Sequence, residues 1–125
     1  MARTTTAETT DEAKDGWCNH VQLVGRVAAD PVTIELPSGD EVVSVRLVVA
    51  RGPQTRRPDA RRPPSVDTID CSAWSAKSRR SVSAWNEGDV VSVEGALRRR
   101  FWRGAQGAQS RYEVEVALAR RIKRG

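Results

Sequence analysis

The chain has 125 residues, enough for one domain whose hydrophobic core needs no disulfide or metal scaffold. Lysine and arginine total 21 against 16 acidic residues, and every cation except Lys14, Lys77 and Lys123 is arginine. Arginine presents a planar fork to phosphate and stacks on bases, so this balance favours nucleic acid over an anionic membrane as partner. Cys18 and Cys71 are too few for a disulfide framework, and without a signal peptide we expect two reduced thiols in a cytoplasmic protein.

The first 16 residues, MARTTTAETTDEAKDG, are polar, rich in threonine and without apolar periodicity, which is typical of a disordered tail. These residues carry a net charge of −2. Because the whole chain carries +5, residues 17–125 carry +7. Residues 17–125 form the predicted domain, and its arginines are clustered.

Two strands are predicted at the start of this domain. Val21, Leu23 and Val27 share one parity, and Gly25 between them predicts a bulge or bend. A short run at 33–36 follows, and the turn PSGD then leads to the second clear strand. Alternate positions of that strand are apolar: Val43, Val45, Leu47 and Val49.

Residues 51–65, RGPQTRRPDARRPPS, interrupt the strands. Four prolines and a glycine prevent a ladder of hydrogen bonds in this segment. Five arginines against one aspartate give the loop a net charge of +4. Its arginines are Arg51, Arg56, Arg57, Arg61 and Arg62.

A third strand is predicted at residues 66–74. Asp67 and Asp70 have opposite parities in it, which argues against a shared metal site of a nuclease. The outer face is expected to carry Trp74, because the inward parity belongs to three other residues: Ile69, Cys71 and Ala73.

A short helix is predicted over residues 76–86. Its intrinsic propensity is mediocre, because serine side chains compete for backbone hydrogen bonds. Ser78, Val82 and Trp85 lie on one face, so Trp85 is predicted to be a core residue.

The fourth strand carries the pattern on which the functional interpretation depends. Arg98, Arg100 and Trp102 have even numbers and share one face. A bulge at Gly95 would invert this assignment. Phe101 has the other parity, but both faces are accessible if the strand continues beyond a barrel as a ribbon. The inward parity of the strand is defined by Val91, Val93 and Leu97.

A glycine-containing hairpin at 103–109 leads to the fifth strand. Tyr112 shares the parity of the apolar residues and is predicted to lie in the core, whereas Glu113 and Glu115 on the other face are interpreted as solvated. The apolar residues that continue the pattern are Val114, Val116 and Leu118.

Five strands with one short helix between the third and the fourth indicate an all-β fold class. This order of elements is that of the five-stranded OB-fold barrel. A half-open sandwich is the structural alternative, because periodicity alone does not close a barrel.

Exposed tryptophans beside arginine are suited to stacking on unpaired bases, so Trp74 and Trp102 are predicted to be platforms. The alternative for Trp102 is packing under the 103–109 hairpin or in a subunit interface. Trp17 stays open between core, interface and platform.

Several pieces of the sequence resemble bacterial single-stranded DNA-binding proteins, and they occur in the order and spacing of that family. The resemblance covers residues 19–116 and implies an OB-fold, a homotetramer of paired dimers, and protection of single-stranded DNA of any sequence in replication, recombination or repair. The matching pieces are NHVQLVGRVAADP, SGDEVVSVRLVVAR, IDCSAW, EGDVVSVEGALRRRFW and QSRYEVEV.

The resemblance also assigns residues to roles. Trp74 and Trp102 fall on base-stacking positions, whereas two further stacking positions of the family correspond to Thr68 and the vicinity of Pro53, which are not aromatic. The first strand is the element through which the family commonly dimerises, and its predicted interface residues are Val21, Leu23 and Gly25. The predicted DNA-binding residues are Trp74, Trp102, Phe101, Arg51, Arg56, Arg57, Arg61, Arg62, Arg98, Arg100 and Arg111.

The chain ends in RRIKRG, whereas the family usually ends in a flexible tail with an acidic, hydrophobic tip that recruits replication and repair enzymes. We therefore expect no such recruitment. The chain resembles a tail-less paralogue, of which an actinobacterial type is one interpretation, or a truncated family member.

Catalysis, metals and cofactors are not indicated. His20 is the only histidine, and phosphate-loop, Ser-His-Asp and zinc-ligand patterns are absent from the sequence. The predicted partners are single-stranded DNA and further copies of the chain, without a membrane, in the cytoplasm at the nucleoid. Two alternatives stay open: an OB-fold interaction subunit of a replication-restart or translation complex, and a non-specific RNA binder.

Overall fold

The structure is a computed structural model that describes residues 16–52 and 65–125. The N-terminal segment 1–15 and most of the basic loop lie outside the described residues, and with them Arg56, Arg57, Arg61 and Arg62. The described part contains six strands and one helix: β1 Val21–Val27, β2 Val32–Glu35, β3 Glu41–Ala50, β4 Val66–Ala73, α1 Ala76–Ser83, β5 Val90–Gly104 and β6 Gly107–Lys123.

The strands form one sheet in the order β1-β5-β6-β4-β3-β2, which closes because β1 also pairs with β3. Closure depends on Arg26 opposite Val48 and Val27 opposite Leu47. All pairs are antiparallel except β4 with β6. The short β2 pairs with β3 alone, so the barrel itself has five strands. The predicted OB-fold barrel is confirmed, and the half-open sandwich was wrong.

The interior of the barrel is filled mainly by valine, whose branched side chain fits a pleated surface. Full burial of one such side chain stabilises the fold by about 1.5–3 kcal/mol. Trp85 is only 3% exposed and packs with this core, as predicted. The core includes Val27, Val43, Val45, Leu47, Cys71, Ala73, Val82, Val91, Val93, Val114 and Val116.

Helix α1 begins after Ser75, whose side-chain oxygen accepts a 3.1 Å hydrogen bond from the backbone N–H of Ser78. This N-cap satisfies a backbone donor that would otherwise lack a partner. The helix ends at Ser83, earlier than predicted, and Trp85 follows it in a turn in which its N–H donates to Val82. Within the described ranges, no helix is long and apolar enough to span a membrane.

Gly95 marks the point at which the register between β5 and β6 shifts. Glu94 lies opposite Leu118, whereas Gly95 lies opposite Val116, so the extra residue, Ala117, belongs to β6. The alternation within β5 is therefore preserved. A Cβ atom at Gly95 would lie 1.9 Å from the carbonyl oxygen of Glu115, which explains the glycine. The bulge turns Leu118 outward, against its predicted parity.

Beyond the barrel, β5 and β6 continue as a two-stranded ribbon that ends in a two-residue turn between Gly104 and Gly107. Leu97 and Tyr112 lie on the ribbon with exposed fractions of 46% and 59%. The prediction that both are core residues was wrong. Their parity matches that of the core valines, but no layer of the described structure covers the ribbon at this level.

Candidate nucleic-acid interface

A cleft of about 310 Å³ opens between the β5–β6 ribbon and the β2–β3 hairpin. Trp74, Trp102, Arg100, Arg111 and Glu113 line it, and we call it the tryptophan cleft. The opposite wall is apolar and includes Ile34, Leu36 and Val42.

Trp74 directly follows β4 and is half-buried. Its indole Nε1 donates a 3.1 Å hydrogen bond to Ser72 Oγ. Its carbonyl oxygen accepts a 2.6 Å hydrogen bond from Arg79 Nη1 of α1. The ring and the backbone of Trp74 are therefore both held in place before any ligand arrives.

Arg100 lies over the Trp74 ring, with its guanidinium carbon 4.7 Å from the ring centroid. Its Nε donates to Glu113 Oε2 at 2.9 Å, and its Nη2 donates to Glu115 Oε1 at 3.1 Å. Burial disfavours the charged guanidinium, but the hydrogen bonds and negative charges of Glu113 and Glu115 outweigh burial and raise the pKa of Arg100. Arg100 is thus a fixed, permanently charged cover on one face of Trp74.

Trp102 lies farther along β5 and is 45% exposed. The guanidinium of Arg111 is 5.9 Å from the centroid of its ring. Arg111 pairs across the ribbon with Arg100, so each of the two tryptophans has an arginine over its ring. The cleft therefore combines both tryptophan rings with two arginines, and the even parity of β5 predicted that Arg100 and Trp102 share a face.

Glu113 is only 5% exposed, and the interpretation of this carboxylate as solvated was wrong. Its Oε2 accepts hydrogen bonds from Ser72 Oγ at 2.6 Å and from Arg100 Nε at 2.9 Å. Its Oε1 lies 3.6 Å from Arg111 Nη2. The hairpin register was the signal that could have found it, because a two-residue turn at 105–106 places Glu113 opposite Arg98 and diagonal to Arg100.

The arginines of this face are largely paired with carboxylates. Arg98 contacts Glu115 at 2.9 Å, Arg100 contacts both glutamates, and Arg111 contacts Glu113. Three cations against two anions leave a net charge of only +1. A phosphate at this face therefore competes with internal ion pairs.

Phe101 and Arg51 are positioned differently from the other predicted site residues. Phe101 contributes to the lining of the cleft, but it is 72% exposed and its ring lies 5.2 Å from the guanidinium of Arg99. Arg99 also lies 5.3 Å from the Tyr112 ring, so these side chains form a separate stack on the other parity of the ribbon. Arg51 pairs with Asp67 at 2.8 Å and does not line the cleft.

The three residues predicted for the oligomer interface face the barrel. Val21 and Leu23 pack against the core. A Cβ atom at Gly25 would lie 2.5 Å from the carbonyl oxygen of Val48, so the glycine allows a close approach of β1 to β3. The outward apolar side chain of β1 is Val24, and the assignment of Val21, Leu23 and Gly25 to an oligomer interface stays a prediction.

The structure also gives the exposure of Trp17 and the arrangement of possible metal ligands. Trp17 is 75% exposed, so it is not a core residue, and the interface and platform interpretations remain. Across residues 16–52 and 65–125, no group of three or more His, Cys, Asp or Glu side chains is arranged to hold a metal ion.

The sequence model of the Single-strand binding protein family matches residues 18–123. The chain belongs to this family. A single-stranded DNA-binding protein of Bacillus cereus is 29% identical over 98 residues, covering 78% of this chain and 55% of the relative. One of Oceanobacillus iheyensis is 30% identical over 98 residues, covering 78% of this chain and 58% of the relative. The chain thus spans little more than half the length of these relatives.

The predicted family resemblance is confirmed, whereas the tail-less and actinobacterial interpretations stay predictions. Among solved structures, a Plasmodium falciparum SSB complex with ssDNA has a TM-score of 0.68 and 19% sequence identity, covering 86% of this chain and 96% of that one. At this identity the similarity concerns the fold, and it agrees with the five-stranded barrel.

Proposed function

We propose that the chain binds and protects single-stranded DNA of any sequence through the tryptophan cleft and the ribbon beside it. One observation carries the proposal: Trp74 and Trp102 line the same cleft, together with Arg100 and Arg111. Family membership and the names of the bacterial relatives support it.

In this proposal each tryptophan stacks on one unpaired base. Such a stack contributes roughly 1–3 kcal/mol and tolerates any base, because every base has a π face. Arg98 and Arg111 contact phosphates at the rim of the cleft, and about half of each side chain is exposed for this purpose. Release of counterions from each phosphate then makes the affinity dependent on salt.

The basic loop adds phosphate contacts in this proposal. Arg56, Arg57, Arg61 and Arg62 lie outside the described residues, so their role rests on the charge of the segment. Arg51 at its start is described in an ion pair with Asp67 and would have to exchange that carboxylate for a phosphate.

We also propose a homotetramer. In the described structure, β1 pairs with β3 only at Arg26 and Val27, so most of that edge of β1 remains available for pairing. Val24 and Leu118 are more than half exposed and add apolar surface outside the barrel. Light scattering at micromolar concentration should give four times the monomer mass, and a monomer mass would contradict the proposal.

The protein acts as a binding protein without catalysis or cofactor, in the cytoplasm, on DNA exposed by replication, recombination or repair.

The direct test is a titration of a fluorescently labelled oligo-dT, followed by anisotropy, with the same oligonucleotide annealed to oligo-dA as control. We expect tight binding of the single strand and much weaker binding of the duplex. Equal binding of the two would contradict single-strand recognition, and no binding would favour the interaction-subunit alternative. Stronger competition by oligo-U than by oligo-dT would favour the RNA alternative.

A further inference from the structure

Glu113 is an unusual residue for the floor of a cleft that would receive a polyanion. Its carboxylate is almost completely buried, and it lines the cleft between the two tryptophans. A buried charge is costly unless it is paired, and here Arg100 and Ser72 both donate to the same oxygen, Oε2. Phosphate would be repelled by this group, so the carboxylate is placed to meet a different part of the nucleic acid.

The other carboxylate oxygen still has capacity to accept. Among the described residues, Oε1 accepts no hydrogen bond, and its nearest cation is Arg111 Nη2 at 3.6 Å. An ionised carboxylate has about four acceptor positions, of which two are used on Oε2. A buried acceptor with free capacity therefore lines a cleft of about 310 Å³.

The nearby donors on the floor are already used. Trp74 Nε1 donates to Ser72 Oγ, and Ser72 Oγ donates to Glu113. In this series of hydrogen bonds each hydrogen is donated in the direction of the carboxylate. Neither Trp74 Nε1 nor Ser72 Oγ therefore has a hydrogen left for a base carbonyl. Next to Glu113, Trp74 and Ser72 thus offer a base no donor, whereas Oε1 offers it an acceptor.

We propose that Glu113 makes the cleft selective for bases that carry an exocyclic amino group, such as cytosine, over bases that present a carbonyl at the same position. This inference rests on the proposed function. The selectivity changes the affinity from base to base but abolishes binding to none of them.

Cytosine and uracil are rings of the same size that share the O2 carbonyl. They differ at N3, which accepts in cytosine and carries a donor hydrogen in uracil, and at position 4, so the methylated cytosines described below, which keep N3 unchanged, separate the two positions. At position 4 cytosine carries an amino group that donates to a carboxylate, whereas uracil carries a carbonyl oxygen whose lone pairs a carboxylate repels. A hydrogen bond to a buried charge is stronger than a neutral one, so we expect roughly tenfold selectivity, which corresponds to about 1.4 kcal/mol.

The test measures affinities for oligo-dC and oligo-dU of equal length, at slightly alkaline pH, for wild type and Glu113→Gln. The ratio of the two affinities is the readout, because loss of the Glu113 contact to Arg100 would change both affinities together. We expect the preference for oligo-dC to fall roughly tenfold in Glu113→Gln, since an amide can donate to a carbonyl as well as accept. An unchanged ratio would overturn the inference while the proposed function stands.

Glu115→Gln is the matched control. Glu115 carries the same charge on the same face and contacts the same Arg100, but it does not line the cleft. We expect this variant to change both affinities by the same factor and to leave their ratio as in wild type. A ratio that falls equally in Glu115→Gln would mean that general charge, not Glu113, sets the preference, and would overturn the inference.

A second experiment alters the DNA and needs no variant protein. Oligonucleotides of N4-methylcytosine retain one donor hydrogen on the amino group, and those of N4,N4-dimethylcytosine retain none. We expect wild-type protein to bind the first like oligo-dC and the second about as weakly as oligo-dU. Equal binding of both methylated forms would overturn the inference, and failure to bind any oligonucleotide would overturn the proposed function with it.

Discussion

The guanidinium of Arg100 lies 4.7 Å from the centroid of the Trp74 ring, while its Nε donates a 2.9 Å hydrogen bond to Glu113. One face of Trp74 is therefore occupied by a cation that is itself held by a buried carboxylate. A base can stack only on the other face of the ring. Under the proposed function Trp74 would be a one-sided platform whose orientation is set before DNA binds, which would lower the entropic cost of ordering it.

Arg100→Lys tests this arrangement without changing the charge. Lysine cannot bond two carboxylates as a planar fork and stacks less well on the ring, so Trp74 loses its support. We expect affinity for oligo-dT to fall severalfold, while the slope of log affinity against log salt stays the same. Anisotropy titrations at several salt concentrations provide both quantities.

Arg98→Lys is the control for this prediction. Arg98 contacts Glu115 through its Nε and is not among the arginines that lie over an aromatic ring in the described structure. Because lysine keeps the charge that contacts phosphate and Arg98 supports no ring, its replacement should cost clearly less affinity than Arg100→Lys. Equal losses in the two variants would mean that the support of Trp74 is not the cause.

Replacement of Trp102 should weaken DNA binding, whereas replacement of Trp85 should reduce the stability of the fold. Trp102→Ala removes a partly exposed ring from the cleft and should weaken DNA binding by roughly 1–3 kcal/mol, with little effect on the melting temperature. Trp85→Ala creates a cavity in the core and should reduce the free energy of unfolding by about 3–5 kcal/mol. Thermal melts and oligo-dT titrations of both variants check this. Normal stability with lost binding in Trp85→Ala would reverse the assignments.

Strand periodicity was sufficient to predict much of the cleft. Arg98, Arg100 and Trp102 share a face because side chains alternate along a strand, and the bulge opposite Gly95 leaves this alternation intact because the extra residue belongs to β6. Helical spacing with Ser78 and Val82 placed Trp85 in the core, where it lies although the helix ends at Ser83.

Periodicity failed where the outcome depends on what covers a strand. Tyr112 has the parity of the core valines, but it lies on the ribbon beyond the barrel, where solvent replaces the core. Glu113 was interpreted as solvated because a carboxylate usually is. Its burial depends on Ser72 from β4 and Arg100 from β5, which no single strand pattern brings together.

Asp89 should make stability depend on pH in the acid range. Backbone N–H groups of Gly125 and Asn86 donate to its carboxylate, with Arg121 beside them, and these contacts lower the pKa of Asp89 below its usual 3.8. Because the pKa of Asp89 is lower in the folded than in the unfolded protein, its carboxylate stabilises the fold fully at pH values above the unfolded pKa. This contribution is lost as the pH falls through the folded pKa.

We therefore expect Asp89→Asn to lower the melting temperature at neutral pH, and the difference from wild type to shrink below pH 3.8 and disappear below the folded pKa. Melting curves at a series of pH values give the comparison. Asp40→Asn, in the exposed β2–β3 turn, is the control and should melt like wild type throughout. A difference that persists unchanged at low pH would show that the carboxylate charge is not responsible.

The two cysteines should differ in reactivity. Burial, with the nearby charges of Asp70 and Glu113, raises the pKa of the Cys71 thiol to about 12, whereas Cys18 is exposed. Only the thiolate reacts with alkylating reagents, so we expect rapid labelling of Cys18 alone in the folded protein and of both in denaturant. Mass spectrometry of the labelled peptides identifies the sites. Equal rates in the native state would mean that Cys71 is accessible.

The central claim is that bases stack on Trp74 and Trp102, and tryptophan emission measures this most directly. We predict that saturating oligo-dT quenches the emission of wild-type protein. Trp17→Phe, which removes an exposed tryptophan outside the cleft, should retain the quenching, and Trp74→Phe combined with Trp102→Phe should abolish it while binding persists more weakly. Emission that does not change at saturation in wild type, or quenching that survives in the double variant, would contradict the claim.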